Sequence, residues 1–194
     1  IGDSGQVKTT VVERMRHHYR LGELHSGESS KRTGLVYSMQ QTNKRWFLVW
    51  GALPLNDGGL VTIDELSGLS EEDLGLMSDV RSSGIARATG VITAETTSRT
   101  RVIFISNPRN GRPLNSETYG VSAVLKLLGK AEDVRRLDLA MSVASGDVDP
   151  ALVNKSLKEI PEVPHVYTSD ACNTRVLWAW SRRPDDVVFE PKAT

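Results

Sequence analysis

The sequence predicts an α/β fold. Three observations lead to this fold class: a glycine-rich turn that runs into a helix, a short apolar run that ends in two acids, and a second apolar run that ends in an asparagine. Strands that alternate with amphipathic helices along a chain are typical of α/β domains. Each of the three also places polar groups of the kind that bind phosphate or a metal beside a predicted strand.

Length and composition describe an ordinary globular domain. The 194 residues are enough for one domain with its own core, and 39% hydrophobic and 25% charged residues are typical values. No apolar run reaches membrane-spanning length, and the single Cys172 excludes an internal disulfide or a cysteine metal cluster, which favours a reducing compartment. Because the formal net charge is +0, any nucleic-acid contact must come from a few local cations.

The first observation is the loop at the start of the chain. Residues 2–9, GDSGQVKT, nearly match the pattern G-x-x-x-x-G-K-[ST], with Val7 in place of the last glycine. In that pattern backbone N–H groups at a helix N-terminus face phosphates, the lysine adds a positive charge and the hydroxyl holds Mg²⁺. The predicted phosphate-binding residues are therefore Gly2, Asp3, Ser4, Gly5, Gln6, Val7, Lys8 and Thr9.

A helix is predicted over about Lys8–Tyr19, because Val11, Val12 and Met15 fall on one face. A phosphate loop normally connects a buried strand to such a helix. Only Ile1 remains of that strand, so we expect the sequence to be a fragment of a longer chain.

The second observation is the apolar run at residues 60–63, which ends in Asp64 and Glu65. This is the form of a Walker B strand. Its first carboxylate acts on the hydration shell of Mg²⁺, and its second orients or deprotonates the water that attacks the γ-phosphate. The alternative is a strand that ends in two surface acids, and the phosphate loop upstream favours the catalytic interpretation.

The third observation is a strand over residues 101–106 that ends at Asn107. An asparagine there can hydrogen-bond the γ-phosphate or the attacking water, and it can also simply cap the turn before Pro108. Between the second and third observations, Ser70 begins a helix with a capping sequence, and two β-prone runs flank a turn at residues 89–90. An apolar stripe continues that helix, formed by Leu74, Met77 and Val80.

Several blocks of sequence follow one another in a characteristic order: GDSGQVKT, SGESSKRTGL, GALPLNDGGLVTIDE, GIARATGV, FISNP and RRLDL. Together, over residues 1 to about 145, they resemble the ATPase domain of the minichromosome maintenance (MCM) replicative helicases, a branch of the AAA+ superfamily. MCM phosphate loops also lack the final glycine, usually with alanine there, and they have proline in place of Ser4. The resemblance implies an AAA+ P-loop NTPase fold with a parallel central sheet, inserted β-hairpins and the start of a small helical lid.

The resemblance also implies roles for individual residues, with ATP and Mg²⁺ as the cofactors. By the family's pattern, Lys8 and Thr9 would bind the phosphates and Mg²⁺, and Asp64 would bind the metal. Glu65 would activate the attacking water, and Asn107 would be sensor 1.

Arg136 matches the family's arginine finger, which reaches the ATP of a neighbouring subunit and stabilises charge on the γ-phosphate. A finger used in this way requires an oligomer, and the resemblance implies a homo-hexamer whose active sites are shared between subunits. Without the other motifs, Arg135 and Arg136 would be interpreted as solvated cations beside a strand over residues 137–143.

Residues 34–50 predict a hairpin with Lys44 and Arg45 at its polar tip. The resemblance places it where MCM proteins insert a pore-facing hairpin, so both cations are candidate DNA contacts. Charged hairpin tips are common without a nucleic acid, and ordinary solvation of the two side chains stays open. Trp46 and Trp50 lie on one strand face and are expected in the core rather than as base-stacking platforms.

Arg87 is the third candidate DNA contact. It matches a lysine of the family's pre-sensor hairpin, which reaches backbone phosphates. Contacts of this kind supply affinity without sequence information. A closed ring would multiply each loop cation by the number of subunits, which is compatible with a neutral chain.

Past residue 145 the sequence predicts a connector rich in proline and acids and then a helix over residues 169–182 that ends near Pro184. Leu177 and Trp178 are expected to be buried in it. The predicted parts are an ATPase core, a connector and the start of the helical lid, over residues 1–145, 146–168 and 169–194.

The function predicted from the sequence is ATP hydrolysis in an MCM-like hexameric motor that translocates on DNA and unwinds it during replication, with no membrane association. One alternative is an AAA+ remodelling ATPase of the chelatase or enhancer-binding-activator type that acts on protein. A second is an ATP-binding ring component that hydrolyses weakly. The expected location is the nucleoid in the cytoplasm for a prokaryotic or phage protein, and the nucleus for a eukaryotic one.

Overall fold

The computed structural model describes residues 1–147 and 165–188. The helices of these residues are Lys8–Tyr19 (α1), Gly27–Leu35 (α2), Ala52–Leu55 (α3), Glu71–Ser83 (α4), Gly120–Leu128 (α5), Ala131–Arg135 (α6) and Ser169–Trp180 (α7). The strands are Glu23–Ser26 (β1), Tyr37–Thr42 (β2), Arg45–Trp50 (β3), Leu60–Asp64 (β4), Ile85–Ala88 (β5), Ala94–Thr97 (β6) and Arg101–Phe104 (β7).

The central sheet is parallel, as predicted, with β4 between β1 and β7. The start of the chain continues this sheet beyond β7. Gly2 donates its N–H to the carbonyl of Ser106 at 3.0 Å, and Asp3 donates to the carbonyl of Val143 at 3.1 Å. The predicted strand over residues 137–143 is reduced to a single bridge, at Val143 beside Gly2. The opening loop therefore leaves the sheet directly before α1.

The core lies against this sheet, and its members follow from the sequence pattern. Val61 and Ile63 of β4 are fully buried. The predicted stripe of α4 is buried as well, and Ser70 caps that helix by accepting a hydrogen bond from the N–H of Asp73 at 3.2 Å. Because β4 is covered on both sides, its polar end at Asp64 is held in a fixed position.

Both predicted hairpins are present. Strands β2 and β3 pair antiparallel around Asn43 and Lys44, which have φ values of 51° and 62° as a two-residue primed turn requires. Strands β5 and β6 also pair antiparallel, but residues 89–93 connect them, a longer loop than the predicted two-residue turn.

Trp46 and Trp50 lie on one face of the first hairpin, since they pair with Gln41 and Tyr37 in register. Trp50 packs against the core, whereas Trp46 is 42% exposed. The prediction of two core tryptophans is therefore wrong for Trp46, because the outer half of the hairpin extends past the core.

Helix α7 is present at the predicted place, but its buried face is a different one. Leu177 is 47% exposed and Trp178 is 60% exposed, so the prediction that they are buried is wrong. The covered face instead contains Cys172, Val176 and Trp180, which are spaced four residues apart. Side chains one or two positions later point away from that face in a helix. The prediction for the connector falls mostly on residues 148–164, which lie outside the described part of the chain.

Candidate nucleotide-binding site

The loop between the sheet and α1 is shaped by close packing and by left-handed backbone. A Cβ on Gly2 would lie 2.8 Å from Cδ of Lys8, so a side chain there would displace the lysine. Gly5 has φ +80°, and Val7, the last residue before α1, has φ 55°. A β-branched residue rarely adopts such a backbone, so Val7 keeps the conformation that a glycine normally supplies, at a conformational cost.

Asp3 connects this loop to two other segments of the chain. Its carboxylate is buried and accepts hydrogen bonds from the N–H groups of Leu114 and Ser145, each at 2.8 Å. The side chain of Asp3 is thus used for holding two other segments, and the backbone of the loop is left to face a ligand. The first N–H groups of α1 have no acceptor within the helix and are available to an anion.

Lys8 stands at the centre of the cleft. Its Nζ donates to the carbonyl oxygen of Asp3 at 2.7 Å and to Oδ1 of Asn107 at 2.8 Å. Burial lowers the pKa of Lys8, and the negative charges of Asp64 and Asp3 oppose that shift. The amine is therefore partly buried and held by two neutral acceptors, and a phosphate can replace the side chain of Asn107.

Thr9 and Asp64 form the second contact across the cleft. The Thr9 hydroxyl donates to Oδ2 of Asp64 at 2.6 Å, joining the first turn of α1 to the end of β4. A hydroxyl and a carboxylate, with phosphate oxygens and water completing the shell, are ligands that suit Mg²⁺. These two residues therefore fit the metal that the sequence predicts.

Glu65 follows β4 in an unusual conformation. Its φ is 56°, and a Cβ on Gly27 would lie 2.7 Å from the carbonyl oxygen of Glu65, so the two chain segments are in direct contact. The Ser26 hydroxyl donates to Oε2 of Glu65 at 3.1 Å. The strained backbone and the serine together fix where the carboxylate points.

Ser26 is the residue of this site that the sequence motifs did not indicate. It is the last residue of β1, which neighbours β4 in the sheet, and its register partner is Asp64. A polar residue at the end of the strand before SGESSKRTGL was the available signal. Only the strand order shows that this end lies beside Glu65.

Six predicted residues of the nucleotide site line the cleft, namely Val7, Lys8, Thr9, Asp64, Glu65 and Asn107. Residues 2–6 of the predicted phosphate loop do not line it, and neither does Arg136. Arg136 lies after α6, where its Nη1 donates to Oδ1 of Asp133 at 3.1 Å and to the hydroxyl of Ser78. The structure thus separates the candidate finger from the candidate nucleotide cleft of the same chain.

The candidate DNA contacts have different surroundings. Lys44 and Arg45 are exposed at the tip of the β2–β3 hairpin. Arg87 lies within β5 rather than at a tip, and its guanidinium is 3.2 Å from a carboxylate oxygen of Asp79 and 3.6 Å from one of Glu95. A phosphate must therefore compete with two acids for Arg87.

Comparison with known proteins identifies the family. The family profile described as the MCM P-loop domain matches residues 1–139, a stretch that contains every residue of the cleft. The chain belongs to the MCM family. Its α/β fold with a parallel sheet is that of a P-loop domain, which supports the predicted nucleotide site.

Individual MCM proteins are similar at modest identity. The DNA replication licensing factor MCM5 of Oryza sativa is 30% identical over 156 residues, 75% of this chain and 21% of that protein. The factor of the same name from Arabidopsis thaliana is 30% identical over 115 residues, 58% of this chain and 16% of that protein. The minichromosome maintenance protein MCM of Saccharolobus solfataricus is 28% identical over 115 residues, 58% and 17% of the two chains. The present chain thus spans a small part of these relatives.

Within residues 1–147 and 165–188, no helix combines the length and the apolar character that crossing a membrane needs.

Proposed function

We propose that this chain binds ATP with Mg²⁺ in the Lys8 cleft, hydrolyses it at a boundary between subunits, and uses the reaction to move along DNA and unwind it. The observation that carries the proposal is the convergence of separate motifs. Lys8 contacts Asn107 and Thr9 contacts Asp64. Residues far apart in the sequence thus lie together at one cleft, and this supports the proposal, because phosphoryl transfer needs a cation, metal ligands and a water-activating group around one phosphate.

The nucleotide would be held by the loop and by α1. Lys8 exchanges its contact with Asn107 for the outer phosphates, and the N–H groups at the start of α1 donate to them. Thr9 and Asp64 would hold Mg²⁺, which would neutralise charge on the phosphate oxygens. Asn107 accepts from Lys8 through Oδ1, and once the lysine has moved to the phosphates, Nδ2 of Asn107 would donate to the γ-phosphate or the attacking water.

Hydrolysis would use Glu65 as the general base. As the water oxygen bonds to the γ-phosphorus, one water proton moves to the Glu65 carboxylate, and the bond from phosphorus to the bridging oxygen breaks. The electron pair of that bond leaves with ADP. The hydrogen bond from Ser26 holds Oε2 in place for this proton transfer.

Arg136 would complete the site of a neighbouring subunit. It lies outside its own cleft and near the surface, with its side chain 37% exposed. A guanidinium that approaches the γ-phosphate stabilises the charge that develops in the transition state. We propose a ring of six subunits, with DNA as the partner and the nucleoid or nucleus as the location. The names of the MCM5 relatives, which refer to DNA replication, support DNA as the partner.

Mixing two inactive variants tests the shared site. In the full-length protein, Lys8→Ala disables the cleft and Arg136→Ala removes the finger, and each should abolish turnover alone. Mixed rings contain boundaries where an intact cleft meets an intact Arg136, so turnover should return. Recovery should disappear on dilution that separates subunits. An Arg136→Ala variant that hydrolyses ATP normally would contradict the shared site.

DNA addition tests the target. We expect DNA to raise the ATP turnover of the full-length protein. Turnover that ignores DNA would favour a remodelling ATPase acting on protein, and the absence of turnover in the unaltered protein would favour a ring component that hydrolyses weakly.

A further inference from the structure

The Asp133 carboxylate is buried and has three side-chain donors, which distinguishes it from a surface ion pair. One oxygen of its carboxylate, Oδ1, accepts from the Ser78 hydroxyl at 2.7 Å, from Nη2 of Arg81 at 3.0 Å and from Nη1 of Arg136 at 3.1 Å. The Asp133 side chain is 5% exposed. Two cations thus share a single buried carboxylate.

Arg81 fixes the carboxylate from the inner side. Its side chain is 9% exposed, and its guanidinium carbon lies 5.5 Å from the centre of the Phe104 ring. Burial lowers the pKa of Arg81, the charge of Asp133 opposes this, and the charge of Arg136 adds to it. Because a buried guanidinium needs its counterion, Arg81 and Asp133 hold each other in place.

Arg136 is the outer member of the cluster. The hydrogen bonds that it makes within the described residues use Nη1 only, to Asp133 and Ser78. Nε and Nη2 are left for another partner, and a guanidinium offers enough donors to be anchored on one side while it binds a phosphate with the other.

We propose that Asp133 is a positioning residue: its buried carboxylate holds Nη1 of Arg136 so that Nε and Nη2 stay available to the nucleotide of a neighbouring subunit. Ser78 assists by donating to the same carboxylate oxygen. The inference rests on the proposed role of Arg136 as a finger. Neither Asp133 nor Arg81 belongs to the motifs that identify the nucleotide site, so only their packing points to this role.

The energetics favour the positioning role. A free arginine side chain samples many rotamers, and the conformational entropy of this freedom is lost when the guanidinium binds a phosphate. Holding one nitrogen in advance reduces that loss at the moment of reaction, and displacing a reacting group by about an ångström lowers the rate by roughly 100-fold. Arg81 and Arg136 would also repel each other without the shared carboxylate.

The test must separate positioning from folding, because Asp133→Leu alone leaves Arg81 buried without a counterion. The matched pair is Arg81→Met and Arg81→Met combined with Asp133→Leu, which has no side-chain acceptor, in the full-length assembled protein. Arg81→Met keeps the anchor of Arg136, and the double variant loses it while removing both charges of the buried pair, an exchange that proteins tolerate.

Arg81→Met is the reference, because Asp133 still accepts from Ser78 and from Nη1 of Arg136 in this variant. The double variant should unfold at a similar temperature and keep its KM for ATP, with kcat lower by roughly 10- to 100-fold. Mixed with Lys8→Ala subunits, which carry an intact Arg136, it should regain turnover, because its own cleft is undamaged.

Equal kcat for Arg81→Met and the double variant would overturn the positioning role. A second result would also overturn it: Arg136→Ala regains activity when mixed with Lys8→Ala subunits, but the double variant mixed with them does not. The damage in the double variant would then lie in its own cleft. If Arg136→Ala and Lys8→Ala also fail to complement each other, the shared site itself is wrong, and the positioning role falls with it.

Discussion

The nucleotide cleft and the two hairpins differ in how their candidate residues are connected. In the cleft, Lys8 and Thr9 contact Asn107 and Asp64, residues that lie far from them in the sequence. In the hairpins, Arg87 is paired with acids and Lys44 stands at an exposed turn. A single chain thus assembles the contacts of the cleft, whereas the candidate cations are divided between two separate hairpins.

This difference shows what each region needs in order to work. The cleft depends on the order of strands in one sheet, so a single substitution there removes an interaction that nothing else replaces. In the proposed ring, the hairpin cations would act through repetition, because each phosphate contact adds a small, salt-dependent increment to affinity. We therefore expect large effects in the cleft and graded ones in the hairpins.

Lys8→Ala should have the largest effect. The loop loses its matched cation for the outer phosphates, and hydrogen bonds to charged groups are worth about 1.5–3 kcal/mol each. We expect no ATP binding by this variant in a calorimetric titration. Lys126→Ala is the matched control, since Lys126 is paired with Glu117 outside the cleft. Unchanged ATP affinity in Lys8→Ala would remove the phosphate-loop assignment.

Glu65→Gln should separate binding from chemistry. The amide keeps the shape of the side chain and removes the carboxylate that takes the proton, so ATP should bind normally while turnover falls by roughly 10²- to 10⁴-fold. Glu13→Gln, at an exposed position on α1, is the control, and it should keep normal ATP binding and turnover. A normal rate in Glu65→Gln would show that another group acts as the base.

Arg87 offers a two-way test in the hairpin region. Arg87→Ala in the full-length protein should weaken DNA binding about equally across sequences and reduce the slope of log affinity against log salt by roughly one unit for each phosphate that the arginine binds. Asp79→Asn should do the reverse, because it removes the carboxylate 3.2 Å from the guanidinium. Basal ATP turnover should stay near normal in both. If both salt slopes match that of the unaltered protein, Arg87 is an ordinary surface arginine.

The smallest expected effect concerns the base of the second hairpin. Asp57 accepts hydrogen bonds from the Arg99 side chain, from the Arg99 N–H and from Thr97, and these interactions hold the pKa of Asp57 well below its usual range. Their stabilisation is present at neutral pH and disappears as the pH falls below about 4. Urea unfolding should therefore show Asp57→Asn slightly destabilised at pH 7, with the difference shrinking in acid. A constant difference at all pH values would contradict this.

Much of the fold follows from the sequence because its signals are local. The turn and Lys8–Tyr19 helix, the strand that ends at Asp64 and the hairpin around Asn43 each depend on neighbouring residues and on their periodicity. The same holds for the capped helix after Ser70. Predictions of which face of a helix is buried were less accurate, because that face depends on neighbouring segments. Leu177 and Trp178, predicted to be buried, are exposed.

The candidate site divides in the same way. The motifs by themselves determined which residues could bind phosphate, metal and water, because the chemistry restricts the residue types and their spacing. Only the tertiary structure decided that Ser26 contacts Glu65, that Asp79 and Glu95 neutralise Arg87, and that Asp133 joins Arg81 to Arg136. The physical reason is that a local pattern sets backbone conformation and the direction of a side chain, whereas its partners come from segments that meet only when the sheet and helices pack.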